Sequence, residues 1–153
     1  YAATGSKGDV YKSTDGGVSW FNTSELEGAV TVRALASGPS KLWAGTDWTG
    51  EFNLFFSRDG AASWVKQAVP GNCDVLSLFC SGDLLFAGTS DGKVHVSGDD
   101  GQTWLQTTDL VGGPSYVHVV FVDDLGMLYA CTESPATVRR SEDLGLNWTP
   151  CAR

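Results

Sequence analysis

Asp47, Trp48, Glu51 and Phe52 fall within one short stretch of the chain. An indole beside carboxylates can hold a sugar, because the ring stacks on the sugar's apolar face while the acids bond its hydroxyls. The plainer reading is that Trp48 packs over its own loop. Other combinations are thinner. His95 and His118 lack the acid and nucleophile pattern of a triad. Asp99-Asp100 and Asp123-Asp124 lack the spaced ligands of a calcium loop and read as solvated turns. Cys73, Cys80, Cys131 and Cys151 form no C-x-x-C, and with only two histidines in the chain a zinc site is not expected. Four buried thiols are a better reading than two disulfides. No catalytic residue, metal ligand or cofactor is assigned.

The composition fixes what kind of body carries these residues. The chain has 153 residues, 42% hydrophobic and 18% charged, enough to bury a core. Eighteen acids against ten bases give a net charge of −8, and Arg139-Arg140 is the only adjacent basic pair. Nucleic acid needs a basic footprint, so it is not expected as a partner. No apolar run approaches the roughly 20 residues of a membrane helix. Tyr1 begins the chain without a charged and apolar leader, so the expectation is a removed leader or a piece of something longer. Asn22-Thr23-Ser24 and Asn147-Trp148-Thr149 match the N-glycosylation pattern, though two matches in a chain of this length are common by chance. The expected location is extracellular or at the cell surface, with the periplasm as the alternative.

A repeat organises the chain. Ser13, Asp15, Gly17 and Trp20 begin a series that continues through Ser57, Asp59 and Trp64. It recurs at Ser97, Asp99, Gly101 and Trp104, and at Ser141, Asp143, Gly145 and Trp148. The common form is S-x-D-x-G-x-[ST]-W, with Ala61 at the second glycine position and Asn147 before the last tryptophan. The tryptophans stand 44, 40 and 44 residues apart. Upstream lie Leu42-Trp43-Ala44-Gly45-Thr46, Leu85-Phe86-Ala87-Gly88-Thr89 and Leu128-Tyr129-Ala130-Cys131-Thr132, with a divergent copy at Tyr1 to Gly5. Further upstream are bulky apolar runs at Val30 to Ser37, Val75 to Cys80 and Val117 to Val122.

Each unit therefore reads as four short strands, with the box as the turn between the third and fourth. About 40 to 45 residues per four strands is the period of a propeller blade. The box explains itself chemically. Asp accepts bonds from backbone N–H groups just ahead of it, Ser or Thr adds a further bond, and Gly permits positive φ. Trp buries a large ring between neighbouring sheets.

This pattern resembles the Asp-box, or bacterial neuraminidase repeat, of a family of β-propellers, and the resemblance covers essentially the whole chain. Members include sialidases, xyloglucanase-type glycoside hydrolases, sortilin-type receptors and a photosystem II assembly factor. The resemblance implies that the box is structural and lies away from the ligand face. It implies that ligands meet the loops between second and third strands, here Ser6 to Asp9, Asp47 to Asn53, Ser90 to Lys93 and Glu133 to Thr137, and those joining blades. A sialidase needs three clamping arginines and an Arg-Ile-Pro signature. That signature is absent, and Arg33, Arg58, Arg139, Arg140 and Arg153 read as surface charges. A xyloglucanase-type enzyme needs paired carboxylates across a cleft between two propellers. Asp47 follows Gly45-Thr46 much as an acid does there, but no partner for it can be found.

The expected fold is all-β: a propeller of four-stranded antiparallel blades, one domain over 1–153. The blades fall at 30–73, 74–114 and 115–153, with a partial first blade at 1–29 lacking its inner strand. Open faces and edges are a liability in water. A second copy, or further blades of a longer chain, is accordingly preferred to a closed four-bladed ring. The expected function is a non-catalytic module that binds protein or glycan or builds an assembly. The rival is a fragment of a propeller glycoside hydrolase, sialidase-like or xyloglucanase-like, whose catalytic residues lie elsewhere.

Overall fold

The computed structural model describes residues 1–5, 8–110, 113 and 116–151. Ser6, Lys7, Arg153 and much of the Asp109 to Ser115 connection lie outside the described residues. Three short strands open the chain: β1 (Ala2–Ala3), β2 (Val10–Lys12) and β3 (Phe21–Asn22). Then come β4 (Val32–Ser37), β5 (Leu42–Thr46), β6 (Leu54–Ser57) and β7 (Val65–Gln67). The third group is β8 (Val75–Ser81), β9 (Leu84–Thr89), β10 (Val94–Ser97) and β11 (Leu105–Gln106). The last is β12 (Tyr116–Val122), β13 (Leu128–Glu133), β14 (Thr137–Ser141) and β15 (Thr149–Pro150). Each group is one antiparallel sheet paired in chain order, with three strands in the first and four in the others. No helix among the described residues is long and apolar enough to cross a membrane.

These sheets, blades 1 to 4, stack side by side. The inner strands β4, β8 and β12 pack against one another in turn, and β1 stands against β4. One apolar cluster forms at each junction. Val10, Leu26 and Val32 with Ala44 and Phe55 join blades 1 and 2. Trp43, Leu54 and Val75 with Leu78 and Ala87 join blades 2 and 3. Phe86, Val94 and Val117 with Leu128 and Trp148 join blades 3 and 4. The period-2 alternation of a strand makes this two-sided burial: Gly45 and Leu54 face forward, Ala44 and Phe55 backward.

Approach at the junctions is close enough to dictate glycine. A Cβ on Gly88 would lie 2.7 Å from Val117 Cγ1 and 2.8 Å from its carbonyl oxygen. On Gly45 it would lie 2.5 Å from Val75 Cγ1. The inner strands slip register at corresponding places, between Val32 and Ala34, Val75 and Ser77, and Val117 and Val119. These β-bulges turn Arg33, Leu76 and His118 out of the ladder.

All four boxes are hairpins closed by the same bonds. The serine hydroxyl donates to the aspartate at 2.7–2.8 Å and accepts the N–H of the fifth box residue at 2.8 Å. The carboxylate also accepts the seventh residue's N–H at 2.8–2.9 Å and that residue's side chain, Ser19, Ser63, Thr103 or Asn147, at 2.5–2.7 Å. The fourth and fifth box residues both have positive φ, including Ala61 at 72° and Leu144 at 56°. Two successive left-handed residues suit a primed hairpin turn. Bonds chiefly from the seventh residue's side chain hold all four box aspartates at a pKa of about 2.

The box also ties blade to blade, because the fifth residue's carbonyl accepts a donor from the blade before. Ser24 N and Oγ donate to Ala61 O at 3.3 and 3.1 Å, Gln67 Nε2 donates to Gly101 O, and Thr108 N and Oγ1 donate to Gly145 O at 3.0 Å. Lys41 adds a buried cation between blades 2 and 3, with Nζ 3.1 Å from Asp100 Oδ2 and 4.4 Å from the Phe56 ring centre. Trp64, Trp104 and Trp148 pack into the three junction clusters. Trp20 departs from the expected burial. With no described blade before it, it is 45% exposed, and its indole N–H donates to Gly17 O at 3.1 Å. The cysteines are free thiols, but only Cys73 is buried and the other three are half-buried, contrary to the expectation of four buried ones.

Gly88→Ala should lower stability by about 2 kcal/mol through overpacking. Gly5→Ala, where nothing lies within 4 Å, should leave urea unfolding unchanged. A pH prediction comes from His95, which is buried edge-on to Trp104 with both ring nitrogens unbonded among the described residues. Burial lowers its pKa from 6.5, so the unfolded chain binds the proton more readily and stability falls as pH drops below about 6.5. The box carboxylates, lowered from 3.8 to about 2, contribute stability above their unfolded pKa that is lost as pH falls toward 2. In melting curves from neutral to strongly acid pH, His95→Phe, which copies Phe55 of blade 2, should abolish the first loss and keep the second.

Candidate functional site

The blade ends opposite the boxes carry a rim of polar side chains. Its geometry follows from the bulges, because in blades 2 and 4 the bulged inner-strand residue bonds the residue after the second strand's threonine. In blade 2 this joins the Arg33 guanidinium to the Asp47 carboxylate as an ion pair, and their side chains are 42% and 24% exposed. The pairing raises the pKa of Arg33. In blade 4 it joins His118 Nε2 to Glu133 Oε2 at 2.7 Å, at 50% and 59% exposure. Tyr116 lies beside His118, with ring centres 5.7 Å apart. In blade 3 the corresponding residues are Leu76 and Ser90, which carry no charge.

Asp74 links blades 2 and 3. Its carboxylate accepts the Trp48 N–H at 2.9 Å, its own N–H donates to Ser90 Oγ at 2.9 Å, and its carbonyl accepts the Ser90 N–H at 3.0 Å. Behind the rim Asn53 is fully buried. Its amide donates to Val69 O and Cys73 O at 3.1 and 2.7 Å, and its oxygen accepts the Val69 N–H at 2.7 Å. Asn53 thereby pins the connection from blade 2 to blade 3, meeting the bonding needs of a buried amide.

The structure divides the four residues that the sequence placed together. Asp47 turns to Arg33 on the inner strand. Trp48 is half-buried, its backbone held by Asp74. Glu51 is exposed. Phe52 goes the other way, edge-on to Phe55 with ring centres 5.2 Å apart and under Lys66 Nζ at 4.7 Å, against the blade 1 junction. Sequence reasoning missed Arg33, Asp74 and His118 as members of this end, and placed Asn53 in a loop here without seeing that it is buried. Its available signal was position: Arg33 and His118 stand at matching places in their repeats.

The rim can make hydrogen bonds and ion pairs. Asp47, Glu133 and Asp74 are each engaged, by Arg33, His118 and the Trp48 N–H. No group of three or more metal-ligating side chains converges among the described residues.

No protein-family model matches the chain, and no curated protein matches it. Solved structures do. It superposes on YCF48 bound to a D1 peptide with a TM-score of 0.72 at 15% identity, covering 96% of this chain and 49% of that one. It superposes on YCF48 from Cyanidioschyzon merolae with a TM-score of 0.70 at 18% identity, covering 98% and 51%. The likeness shows the fold: this is a β-propeller architecture of about four blades. The chain spans about half the length of these solved propellers.

Removing the exposed Arg33–Asp47 pair should cost little, within about 1 kcal/mol for Arg33→Ala. Asp74→Ala should cost more, about 1.5 to 3 kcal/mol, because it removes a charged acceptor of a backbone N–H. Urea unfolding of the two variants checks the order.

Proposed function

We propose that the chain is a non-catalytic propeller module of the Asp-box kind that binds a protein partner at the bulged rim. The observation that carries this reading is the engagement of the rim acids. Asp47 is bonded to the Arg33 guanidinium, Glu133 to the His118 imidazole and Asp74 to a backbone N–H, so none of these three stands as a free acid or base of the kind glycoside hydrolysis uses. Exposed charges of both signs on a rigid scaffold suit peptide recognition, where charge complementarity sets the choice of partner. The YCF48 propeller bound to a D1 peptide supports the reading by showing this architecture accommodating a peptide.

Peptide-array binding should be weakened at least about tenfold by placing acids on the rim with Arg33→Glu and His118→Glu, a loss of roughly 1.4 kcal/mol or more. Box-side Glu142→Lys should leave it unchanged. A second reading, a glycan on Trp48, draws on the half-buried indole beside Asp47. It requires sugar-array signal that Trp48→Ala abolishes. Turnover of chromogenic glycosides by the purified chain would overturn the non-catalytic reading.

A further inference from the structure

A cavity of about 350 Å³ opens on the box end of the junction between blades 2 and 3. Its walls are the turn from β4 to β5, the turn from β8 to β9 and the third box, and the buried Trp43 and Leu85 form its base. Both blades have four strands and share a continuous core, so the cavity belongs to an internal junction.

This junction is built differently from the next. Lys41 and Asp100 pair across it, at places that Leu84 and Leu144 hold between blades 3 and 4. Trp43 stands where blade 3 has Phe86 and blade 4 has Tyr129. Phe86 has no polar atom to satisfy, and Tyr129 Oη donates to Asp123 Oδ2 at 3.3 Å. The Trp43 indole N–H has no hydrogen-bond partner among the described residues, although Trp43 is only 2% exposed. Trp64, Trp104 and Trp148 also leave this N–H unbonded, but theirs are enclosed within the junctions. Trp43 instead lines the cavity, and its Nε1 is 3.8 Å from where a Cβ on Gly38, another lining residue, would lie. A buried indole N–H ordinarily finds an acceptor, and the open side here is the cavity.

The charges around it select the molecule that would supply that acceptor. Three lining acids, Asp83, Asp99 and Asp100, outnumber Lys41. Lys41 is held by Asp100 and lies over the Trp43 and Phe56 rings. Asp99 is held by its own box. Asp83 is exposed and makes no ion pair or hydrogen bond among the described residues. The cavity therefore offers one free carboxylate and one free N–H. A cation with a neutral acceptor close by matches both. A lysine or arginine residue presents that combination in its side chain and main-chain carbonyl.

We propose that this cavity receives a lysine or arginine side chain of a protein partner, with Asp83 meeting its charge and the Trp43 N–H donating to a carbonyl of the same segment. The net charge of −8 favours the approach of a basic segment. The site stands at the opposite end of the blades from the rim, and neither requires the other.

Acetylated and amidated Gly-Lys-Gly, titrated into the isotope-labelled chain, should move the indole N–H magnetic resonance signal of Trp43. Trp43→Phe, which copies Phe86 of blade 3, identifies that signal by its loss. Gly-Arg-Gly should act alike, and Gly-Glu-Gly and Gly-Leu-Gly should not. Asp83→Asn, at an exposed position, should keep the circular dichroism and weaken the lysine peptide at least about tenfold. Arg33→Glu at the rim should leave this binding unchanged. A Trp43 signal that stays still at millimolar peptide overturns the proposal. So does equal movement with Gly-Leu-Gly, or binding that Asp83→Asn leaves intact. Rim binding that persists when this titration fails overturns this inference alone and leaves the proposed function standing.

Discussion

A small sheet of four short strands has two apolar faces and can bury neither by itself. The whole structure depends on that constraint. Each blade lends one face to the blade before it and one to the blade after, and the three apolar clusters lie at these junctions rather than within any blade. The glycines of the second strands serve the same end. Gly45 and Gly88 let the next inner strand approach to a distance that a methyl group would forbid.

The boxes join the outer parts of the blades where apolar area is scarce. The outer strands are short, two or three residues each, and mostly exposed. They would fray without the hairpin that anchors them. A carboxylate with three bonds from its own turn fixes the hairpin, and a serine hydroxyl fixes its entry. The carbonyl left pointing outward then accepts a bond from the preceding blade. One eight-residue pattern thus closes a turn, seats a tryptophan in a junction and supplies an acceptor across it. Its aspartates are occupied in holding the hairpin, which leaves the charged chemistry to the opposite end.

At that opposite end the bulges decide what is displayed. A bulge takes one residue out of the ladder at the start of each inner strand, and the local side chain then meets the end of the second strand. Where that residue is Arg33 or His118 it bonds a carboxylate, and where it is Leu76 no such pair forms. The strands, their order and the box turns were legible in the sequence because spacing and turn chemistry repeat. The bulges were not, since an extra residue within an apolar run leaves no mark on composition. The four-residue cluster around Trp48 was legible only as proximity along the chain. Phe52 sits beside a run of apolar residues in blade 2 and joins Phe55, while Asp47 is drawn to a charge fourteen residues away in sequence.

The sequence alone therefore determined the repeat, the strand count per repeat and the chemistry of the box. All of these are local, set by residues within a few positions of one another. Tertiary structure decided which faces are covered and which tryptophan stays exposed. Those outcomes depend on what stands in the neighbouring blade, some forty residues away along the chain. Trp20 and Trp148 occupy the same place in the same pattern, yet one is 45% exposed and the other 8%. The difference is the presence of a blade to pack against, which the pattern itself does not encode.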